Sequence, residues 1–379
     1  MQTKTEVAVY YFPNYHPDAR NDKWHGRGWT EWELVKRAEP RFAGHAQPKV
    51  PLWGYEDESD PQAMARKIDA AADHGIDCFI FDWYWYEDGP YLHRGLEEGF
   101  LQAGNADRLK FSLMWANHDW IDIHPLTRAL QPATLASGKV SEQAFVAATE
   151  HMIERYFRHP SYWRVGGGLY FSIYELMNLV EGLGGLDETK RILGEFRERV
   201  RQAGLGELHL NAVVWGVQIL PGEKRIDNPN ELLDLLGFDS VTSYVWLHHV
   251  GLPEFPQSDY GAWRDEAVAK MSDLADEFQL PYFPNVTMGW DTSPRTVQSD
   301  KYEPIGYQYM ATVGGNTPAE FETALRQTKA LAEQKSGGLN IVTINAWNEW
   351  TEGSYLEPDT VHGFGYLEAV RRIFGPSEG

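Results

Sequence analysis

Residues 339–359 read LNIVTINAWNEWTEGSYLEPD, and this stretch decides the predicted fold. It begins with an apolar, β-branched run at residues 341–344, which is typical of a strand buried on both faces. The run then changes abruptly to polar and aromatic residues, namely Asn345, Trp347, Asn348, Glu349, Trp350, Glu352, Tyr355 and Glu357. Carboxylates beside indoles at the carboxyl end of a buried strand indicate a sugar-binding site.

The same pattern recurs along the chain, where apolar runs end in acidic and aromatic residues. We predict strands at residues 6–13, 77–86, 110–114, 168–174, 208–215, 236–244, 282–286 and 341–344. We predict helices at residues 60–74, 141–159, 186–203, 230–235, 262–278, 318–334 and 362–374. Strands that alternate with helices form a parallel sheet, and eight such units predict a (β/α)₈ TIM barrel with long βα loops, one domain over residues 1–379.

A doubly wound open sheet is the alternative fold. It needs a glycine-rich phosphate-binding turn between an early strand and its helix. The only glycine run of that kind, Gly166-Gly167-Gly168, precedes a strand instead of opening a helix. The barrel is therefore the preferred prediction.

Composition and charge limit the partners. The net charge of −21 argues against nucleic acid or an anionic membrane surface, because both would repel the protein. Hydrophobic residues make up 42% of the chain, enough for a sizeable core in which we expect the single cysteine, Cys78, to be buried. The sequence MQTKTEVAVYYFP at the N-terminus lacks the pattern of a secretory signal, so we expect a cytoplasmic protein without membrane insertion.

Glu349 and Glu352 are the candidate catalytic residues. Cleavage of a glycosidic bond needs one carboxylic acid to protonate the departing oxygen and a second carboxylate to assist attack at the anomeric carbon. If this segment is helical, the spacing of three residues holds both side chains on one face, where crowding separates their pKa values. The alternative is a solvated surface loop packed over tryptophans. The cluster Trp-Asn-Glu-Trp directly after a buried-type strand favours a catalytic role over that alternative.

The predicted strand ends supply candidate sugar contacts. Trp347 and Trp350 offer flat apolar faces to a pyranose, while Asn345 and Asn348 can hydrogen-bond its hydroxyls. The predicted substrate-binding residues are Tyr11, Asp82, Trp83, Trp115, Asn117, His118, Trp215, Tyr244, Trp246, Trp290, Trp347, Asn348 and Trp350. The alternative role of each is to line the upper core of the barrel.

Two further groups of polar residues carry weaker signals. Glu31 and Glu33 could be additional site carboxylates, although solvated loop positions are the preferred interpretation. His118 and His124 with Asp119 do not make a convincing set of metal ligands. We therefore expect no metal and no cofactor.

The run 345–359 resembles the signature of the WbsX-like family, a relative of glycoside hydrolase family 99. Matching segments also occur at residues 28–32, at Gln47-Pro48 with Pro51, at residues 75–79 and at residues 115–117. The resemblance implies a (β/α)₈ barrel in which Glu349 and Glu352 match the Glu-x-x-Glu motif of family 99. One departure is His118, which stands where many members carry Glu after Trp-Ala-Asn.

By that likeness, Glu352 is the acid/base, and Glu349 deprotonates the sugar's own 2-hydroxyl. The hydroxyl attacks the anomeric carbon to give a 1,2-anhydro sugar, which water opens with retention. Such participation needs the 2-hydroxyl trans to the leaving group, as in α-mannosides and α-L-rhamnosides. The resemblance thus implies a retaining glycoside hydrolase acting on an α-manno-configured glycoside within a polysaccharide or oligosaccharide.

Two other functions stay open at this point. The family's name points to lipopolysaccharide assembly and hence to glycosyl transfer, but no DxD-like metal motif in a nucleotide-binding context is present. A non-catalytic carbohydrate-binding barrel is the third interpretation. The intact pair Glu349 and Glu352 argues against it.

Overall fold

A closed set of parallel strands surrounded by helices forms the protein. The computed structural model describes residues 4–216, 218–220, 222–224, 226, 228–335 and 338–375. Within them the barrel strands are β1 Glu6–Tyr11, β2 Cys78–Tyr86, β3 Lys110–Trp115, β4 Gly168–Ile173, β5 Leu208–Val213, β6 Ser240–Thr242, β7 in two pieces, Tyr282–Phe283 and Asn285–Thr287, and β8 Ile341–Asn345. The (β/α)₈ prediction is confirmed.

Helices follow or separate these strands. The α-helices of the described residues are α1 Ala19–His25, α2 Trp32–Arg37, α3 Pro61–Asp73, α4 Glu142–Arg155, α5 Leu176–Gly182, α6 Leu186–Gln202, α7 Pro229–Leu236, α8 Tyr260–Glu277, α9 Pro318–Lys335 and α10 Gly365–Phe374. Short strands in the loops are Gly89–Tyr91, Trp120–Ile121, Thr134–Ala136, Arg164–Val165, Gln257–Asp259, Thr312–Gly314, Asn348–Glu349 and Ser354–Tyr355. A π-helical turn spans Gly95–Phe100.

Strand β7 closes the barrel. Strands β1 to β6 pair in parallel in chain order, and β8 pairs with the other side of β1. The first piece of β7 pairs with β6, and the second piece pairs with β8. Pro284 lies between the two pieces, and proline has no amide hydrogen to donate to a ladder. Its carbonyl still accepts a hydrogen bond from the Thr343 amide at 3.0 Å.

Local sequence signals account for several helix ends. Asp60 caps α3 by accepting from the Gln62 amide, and Pro61 occupies the first turn. Asp259 caps α8 in the same way, so this helix begins before the predicted residue 262. The predicted strand 236–244 is shorter in the structure, because Leu236 still belongs to α7 and Gly237 ends that helix with φ +72°.

The core lies inside the barrel and between the barrel and its helices. Every residue of β2 is buried, which includes the predicted core thiol of Cys78. The segment between β1 and β2 includes the helices α1 and α2. Both helices precede β2, so the loop between β1 and β2 brings residues such as Glu31 to the strands' carboxyl ends.

Candidate active site

A cavity that is open to solvent lies at the carboxyl ends of the barrel strands. Each strand of the barrel contributes a lining residue at or after its carboxyl end, and examples in chain order are Phe12, Asp82, His118, Tyr174, Leu220, Tyr244, Trp290 and Glu349. Active sites of (β/α)₈ enzymes form at this face, because their loops converge there. The cavity is therefore the candidate active site.

The two predicted catalytic glutamates reach this cavity from a tight hairpin after β8. Asn348–Glu349 pairs antiparallel with Ser354–Tyr355, and a 3₁₀ turn at Trp350–Glu352 connects them. The hairpin turns at Gly353, which has φ +66° and where a Cβ would come within 2.7 Å of the Asp291 Cβ. The segment is thus a hairpin and not the helix considered from its spacing, but both carboxyl groups line the cavity.

One arginine joins both glutamates. The Arg295 guanidinium donates from Nη1 to Glu352 and from Nη2 to Glu349 at 3.3 Å, and its Nε donates to Glu31 at 2.9 Å. Tyr307 donates its hydroxyl to the same Glu352 oxygen at 2.9 Å. Arg295 is only 4% exposed, and a guanidinium keeps its charge even when buried. Because one guanidinium contacts both glutamates, the two carboxyl groups lie on the same side of the cavity.

Sequence reasoning did not select Arg295. The residue follows β7 in the short 3₁₀ turn Ser293–Arg295. The sequence signal that could have selected Arg295 is its position after a strand end, because the other charged residues predicted there are acidic. A buried group of carboxylates requires a counter-charge, so a basic residue after a barrel strand is a candidate partner.

Glu31 differs from the sequence interpretation. It is fully buried, and besides Arg295 it accepts hydrogen bonds from Asn14 at 2.7 Å and from Thr351. Burial acts to raise the pKa of Glu31, but the Arg295 guanidinium, together with His124 and the hydrogen bond from Thr351, outweighs it, so the pKa lies below its usual range. Glu33 does lie at the surface of α2, where it pairs with Lys36.

A tyrosine connects a third carboxyl group to Glu349. The Tyr244 hydroxyl lies 2.9 Å from Asp82 Oδ2 and 3.1 Å from Glu349 Oε1. Burial raises the pKa of Glu349 well above its usual range; the nearby Glu352 raises it further, whereas Arg295 opposes the shift. Burial likewise raises the pKa of Asp82. A carboxyl group with a raised pKa can exchange a proton near neutral pH, as acid–base catalysis requires.

Another part of the cavity lining is aromatic and apolar. Trp120 stacks on His124 with ring centroids 5.4 Å apart, and Tyr84 packs edge-on against Trp120. Burial lowers the pKa of His124 to about 3, so its ring is neutral at physiological pH. Other residues of this wall are Ile121, Ile123, Tyr174, Ile219, Leu220 and Val245. Such a surface can pack against the C–H face of a sugar.

The structure brings together six of the sequence-predicted site residues. Those that line the cavity are Asp82, His118, Tyr244, Trp290, Glu349 and Glu352. Those that lie outside its lining are Tyr11, Trp83, Trp115, Asn117, Trp215, Trp246, Trp347, Asn348 and Trp350. The sequence identified the correct strand ends, but it did not identify which side chains face the cavity.

The residues of the β8 hairpin illustrate the difference. Trp347 and Trp350 are completely buried, and the Trp350 Nε1 donates to Glu357 at 2.7 Å. Neither indole therefore presents a face to the cavity. The Asn348 side chain both accepts from the Phe12 amide and donates to the Phe12 carbonyl, each at 2.8 Å. Trp347 and Asn348 hold the hairpin against the end of β1 and so help to orient Glu349, which follows them in the chain.

Other predicted contacts also hold the scaffold. Asn117 bonds the backbone amide and carbonyl of Glu175 at 2.7 and 2.8 Å, and Tyr11 donates to Glu58 at 2.9 Å. Trp215 lines a separate cavity beside His249 and Phe278. The indoles of Trp83, Trp115 and Trp246 are buried in the core.

Within the described ranges, no group of three or more His, Cys, Asp or Glu side chains is arranged to hold a metal ion. No helix in the same ranges combines the length and apolarity needed to cross a membrane.

The fold and the site together define a (β/α)₈ barrel with paired carboxyl groups at the face formed by the carboxyl ends of its strands. The family described as Glycosyltransferase WbsX matches residues 7–370, and the chain belongs to this family. The protein WxcX of Xanthomonas campestris pv. campestris, described as uncharacterized, is 30% identical over 382 residues, which cover 97% of this chain and 49% of WxcX. The chain thus spans about half the length of the curated relatives it matches.

Solved structures share the fold at low identity. A family GH99 endo-α-mannosidase from Bacteroides thetaiotaomicron superposes with a TM-score of 0.59 at 13% identity, over 97% of this chain and 96% of that chain. A glycoside hydrolase-like protein superposes with a TM-score of 0.63 at 16% identity, over 99% of this chain and 95% of that chain. At these identities the likeness shows the barrel fold alone.

Proposed function

We propose that the protein is a retaining glycoside hydrolase that acts on α-manno-configured glycosides, either α-mannosides or α-L-rhamnosides, within a polysaccharide or oligosaccharide. The observation that carries the proposal is the pair Glu349 and Glu352, which line one cavity and contact one guanidinium, that of Arg295. Glycosidic cleavage uses two carboxyl groups of this kind, one as acid and one as base or nucleophile.

The proposed roles follow the likeness to the Glu-x-x-Glu motif. Glu352 gives its proton to the leaving oxygen while Glu349 takes the proton of the sugar 2-hydroxyl. The freed oxygen attacks the anomeric carbon, the bond to the leaving group breaks, and a 1,2-anhydro sugar forms. Water then attacks the anomeric carbon and gives a proton to Glu352. Glu349 returns its proton to the 2-oxygen as the anhydro ring opens, so the configuration is retained.

The geometry of the pair supports this route over the usual double displacement. In that mechanism the two carboxyl groups flank the sugar ring from opposite faces, roughly 5–5.5 Å apart. Here both side chains extend from one short hairpin and contact one guanidinium, so they approach from the same side. The raised pKa of Glu349, caused mainly by burial, also makes its carboxylate a stronger base toward a hydroxyl.

The substrate class rests on the stereochemistry that the route requires and on the neighbouring folds. A 2-hydroxyl can displace the leaving group only from the opposite face of the ring, as in α-manno configuration. The Bacteroides neighbour is described as an endo-α-mannosidase. The aromatic and apolar wall around Trp120 provides a packing surface for a pyranose.

Glycosyl transfer is the second candidate, because the family to which the chain belongs is described as a glycosyltransferase. A transferase of lipopolysaccharide or O-antigen assembly would use the same carboxyl groups to transfer a sugar to an acceptor hydroxyl instead of water. A nucleotide-sugar donor would bind such an enzyme, whereas a hydrolase does not require one.

Product analysis in ¹⁸O-labelled water tests the proposal. Wild type is offered α-mannosides and α-L-rhamnosides, and mass spectrometry follows label in the released reducing sugar. We expect labelled product from wild type and about 10²–10⁴-fold less from Glu349→Gln and Glu352→Gln. Glu33→Gln, a matched change at the surface of α2, should leave product formation unchanged.

One result would contradict the assignment of the catalytic residues, and another would contradict hydrolysis itself. Labelled product that persists in both site variants would exclude this carboxyl pair as the catalytic groups. Failure of wild type to release sugar from any substrate, together with thermal stabilisation by a nucleotide sugar, would favour the transferase.

A further inference from the structure

The hydroxyl of Tyr244 lies between two buried carboxyl groups, but it can donate a hydrogen bond to only one of them. It is 2.9 Å from Asp82 Oδ2 and 3.1 Å from Glu349 Oε1. A tyrosine hydroxyl has one hydrogen to donate, and an ionised carboxylate only accepts. Both contacts are satisfied when one carboxyl group is protonated and donates to the tyrosine oxygen, while the tyrosine donates to the other. The hydrogen bonds therefore indicate that one of the two carboxyl groups, Asp82 or Glu349, carries a proton.

The remaining oxygens decide which carboxyl group holds the proton. Asp82 Oδ1 is shielded from solvent and has no donor among the described residues. Burying a charged carboxylate oxygen without a donor costs much free energy. Burying the neutral carbonyl oxygen of a protonated acid without a donor costs much less. Glu349 Oε2, by contrast, accepts from Arg295 Nη2 at 3.3 Å. The partners favour a neutral Asp82 and an ionised Glu349.

The surrounding charges favour the same distribution. Arg295 is the one cationic group that contacts these carboxyl groups in the described residues, and its ion pairs are with Glu31, Glu349 and Glu352 and not with Asp82. The other titratable groups beside Asp82, Tyr244 and Glu349 include the tyrosines Tyr10, Tyr15, Tyr84, Tyr174 and Tyr307, whose pKa values burial raises, so they are neutral. Even when Glu352 carries the proton of its proposed acid role, one guanidinium cannot neutralise the three remaining carboxylates in a dry site, which favours a further proton on Asp82 or Glu349.

Burial raises the pKa of both candidate proton holders, and the opposing influences separate them. For Glu349 the guanidinium of Arg295 opposes burial, whereas for Asp82 the only opposing contact is the hydroxyl of Tyr244. A full positive charge stabilises an ionised carboxylate more than a neutral hydroxyl does. The electrostatics thus agree with the hydrogen-bond geometry.

We propose that Asp82 is protonated and donates to the Tyr244 oxygen, which directs the tyrosine hydrogen to Glu349 and keeps Glu349 ionised as the base. Asp82 is then a positioning residue, because it acts on Glu349 through Tyr244. This inference rests on the proposed function for its catalytic meaning, but the location of the proton is a property of the free protein.

The proton balance follows from this arrangement. When Glu349 takes the proton of the 2-hydroxyl, Asp82 retains its own, and Glu349 later returns the borrowed proton to the 2-oxygen. If Asp82 loses its proton at high pH, it competes for the hydrogen of Tyr244 and repels the Glu349 carboxylate. Glu349 then loses the hydrogen bond that stabilises its ionised form.

Infrared spectroscopy on the free protein locates the proton without any substrate. Protein labelled with ¹³C-aspartate shows a carbonyl stretch for each protonated aspartic acid, separate from ionised carboxylates and amides. At pH 7 we expect one such band that is lost in Asp82→Asn. In protein labelled with ¹³C-glutamate we expect no protonated-acid band to be lost in Glu349→Gln. Absence of the aspartate band, or loss of a glutamate band, would overturn the proposal.

Activity variants test the positioning role. An asparagine amide can donate to the Tyr244 oxygen as a protonated acid does, but a leucine cannot. We expect Asp82→Asn to retain at least about tenfold more hydrolysis than Asp82→Leu, and its pH profile to lack the decline caused by ionisation of Asp82. Equal loss in both variants would overturn the positioning role. If wild type does not hydrolyse any substrate, the proposed function fails, while the infrared result still decides where the proton lies.

Discussion

Replacement of Arg295 by methionine is the most informative perturbation of this site. The guanidinium is 4% exposed and contacts Glu31, Glu349 and Glu352. Methionine preserves much of the side-chain volume and removes the charge with its hydrogen bonds. The variant therefore isolates the electrostatic role of the arginine from its packing role.

The expected cost follows from burial. Removal of one partner from a buried ion pair destabilises a protein by about 3–5 kcal/mol, because the other charge is left buried and uncompensated. Glu31 is fully buried and away from the cavity opening, so it accounts for much of this loss. Glu349 and Glu352 border the cavity and can relieve part of their cost by taking up protons.

The loss should depend on pH. Burial tends to raise the pKa of Glu31, but Arg295 holds it below its usual range in wild type. This contribution to stability is present above the unfolded-state pKa of about 4.3 and is lost as pH falls through the lower folded-state value. In Arg295→Met the unpaired carboxylates cost most at neutral pH. The difference in stability between the two proteins should therefore shrink as pH falls from 7 toward about 4.3.

Urea denaturation measures this difference across the pH range. Arg191→Met is the matched control, because Arg191 also contacts three glutamates, Glu142, Glu188 and Glu195, but is 41% exposed in its side chain. Exposed ion pairs are screened by water, so the control should remain close to wild type. Equal losses in both variants, or a loss in Arg295→Met that does not change with pH, would refute the reasoning.

Three other changes test separate features. Lys67→Met should lower the free energy of unfolding by about 3–5 kcal/mol, because Lys67 and Glu357 form a buried pair at 2.8 Å; a midpoint equal to wild type would contradict this. Trp120→Ala should raise KM roughly tenfold with little change in kcat, since the indole is a packing surface of the cavity; an unchanged KM would exclude that role. Glu349→Gln should stabilise the protein at pH 7, and the gain should disappear toward acidic pH, because burial raises the folded-state pKa of Glu349; calorimetry that shows a loss would contradict this sign.

Much of the barrel could be predicted because its signals are local. The run 341–344 and the acidic and aromatic residues after it identified β8 and the end of it that borders the cavity. Caps such as Asp60 before α3 placed helices within a residue or two. The exceptions are also local in origin, as at Leu236, where a leucine compatible with either state continues α7.

The direction in which each side chain points could not be predicted in the same way. Four consecutive residues, Trp347, Asn348, Glu349 and Trp350, follow β8, yet only the glutamate among them lines the cavity. A tight hairpin does not follow the regular period of a helix or strand, so sequence position does not determine direction there.

The sequence by itself determined the alternation of strands and helices, the end of the barrel that carries the polar residues, and the carboxyl pair Glu349 and Glu352. Only the tertiary structure decided that Arg295 and Glu31, separated by 264 positions, meet beneath that pair. Helical and strand patterns arise from neighbours along the chain, and one sequence can display them. Charge compensation in a buried site depends on distances between residues of different loops, which only the closed barrel fixes.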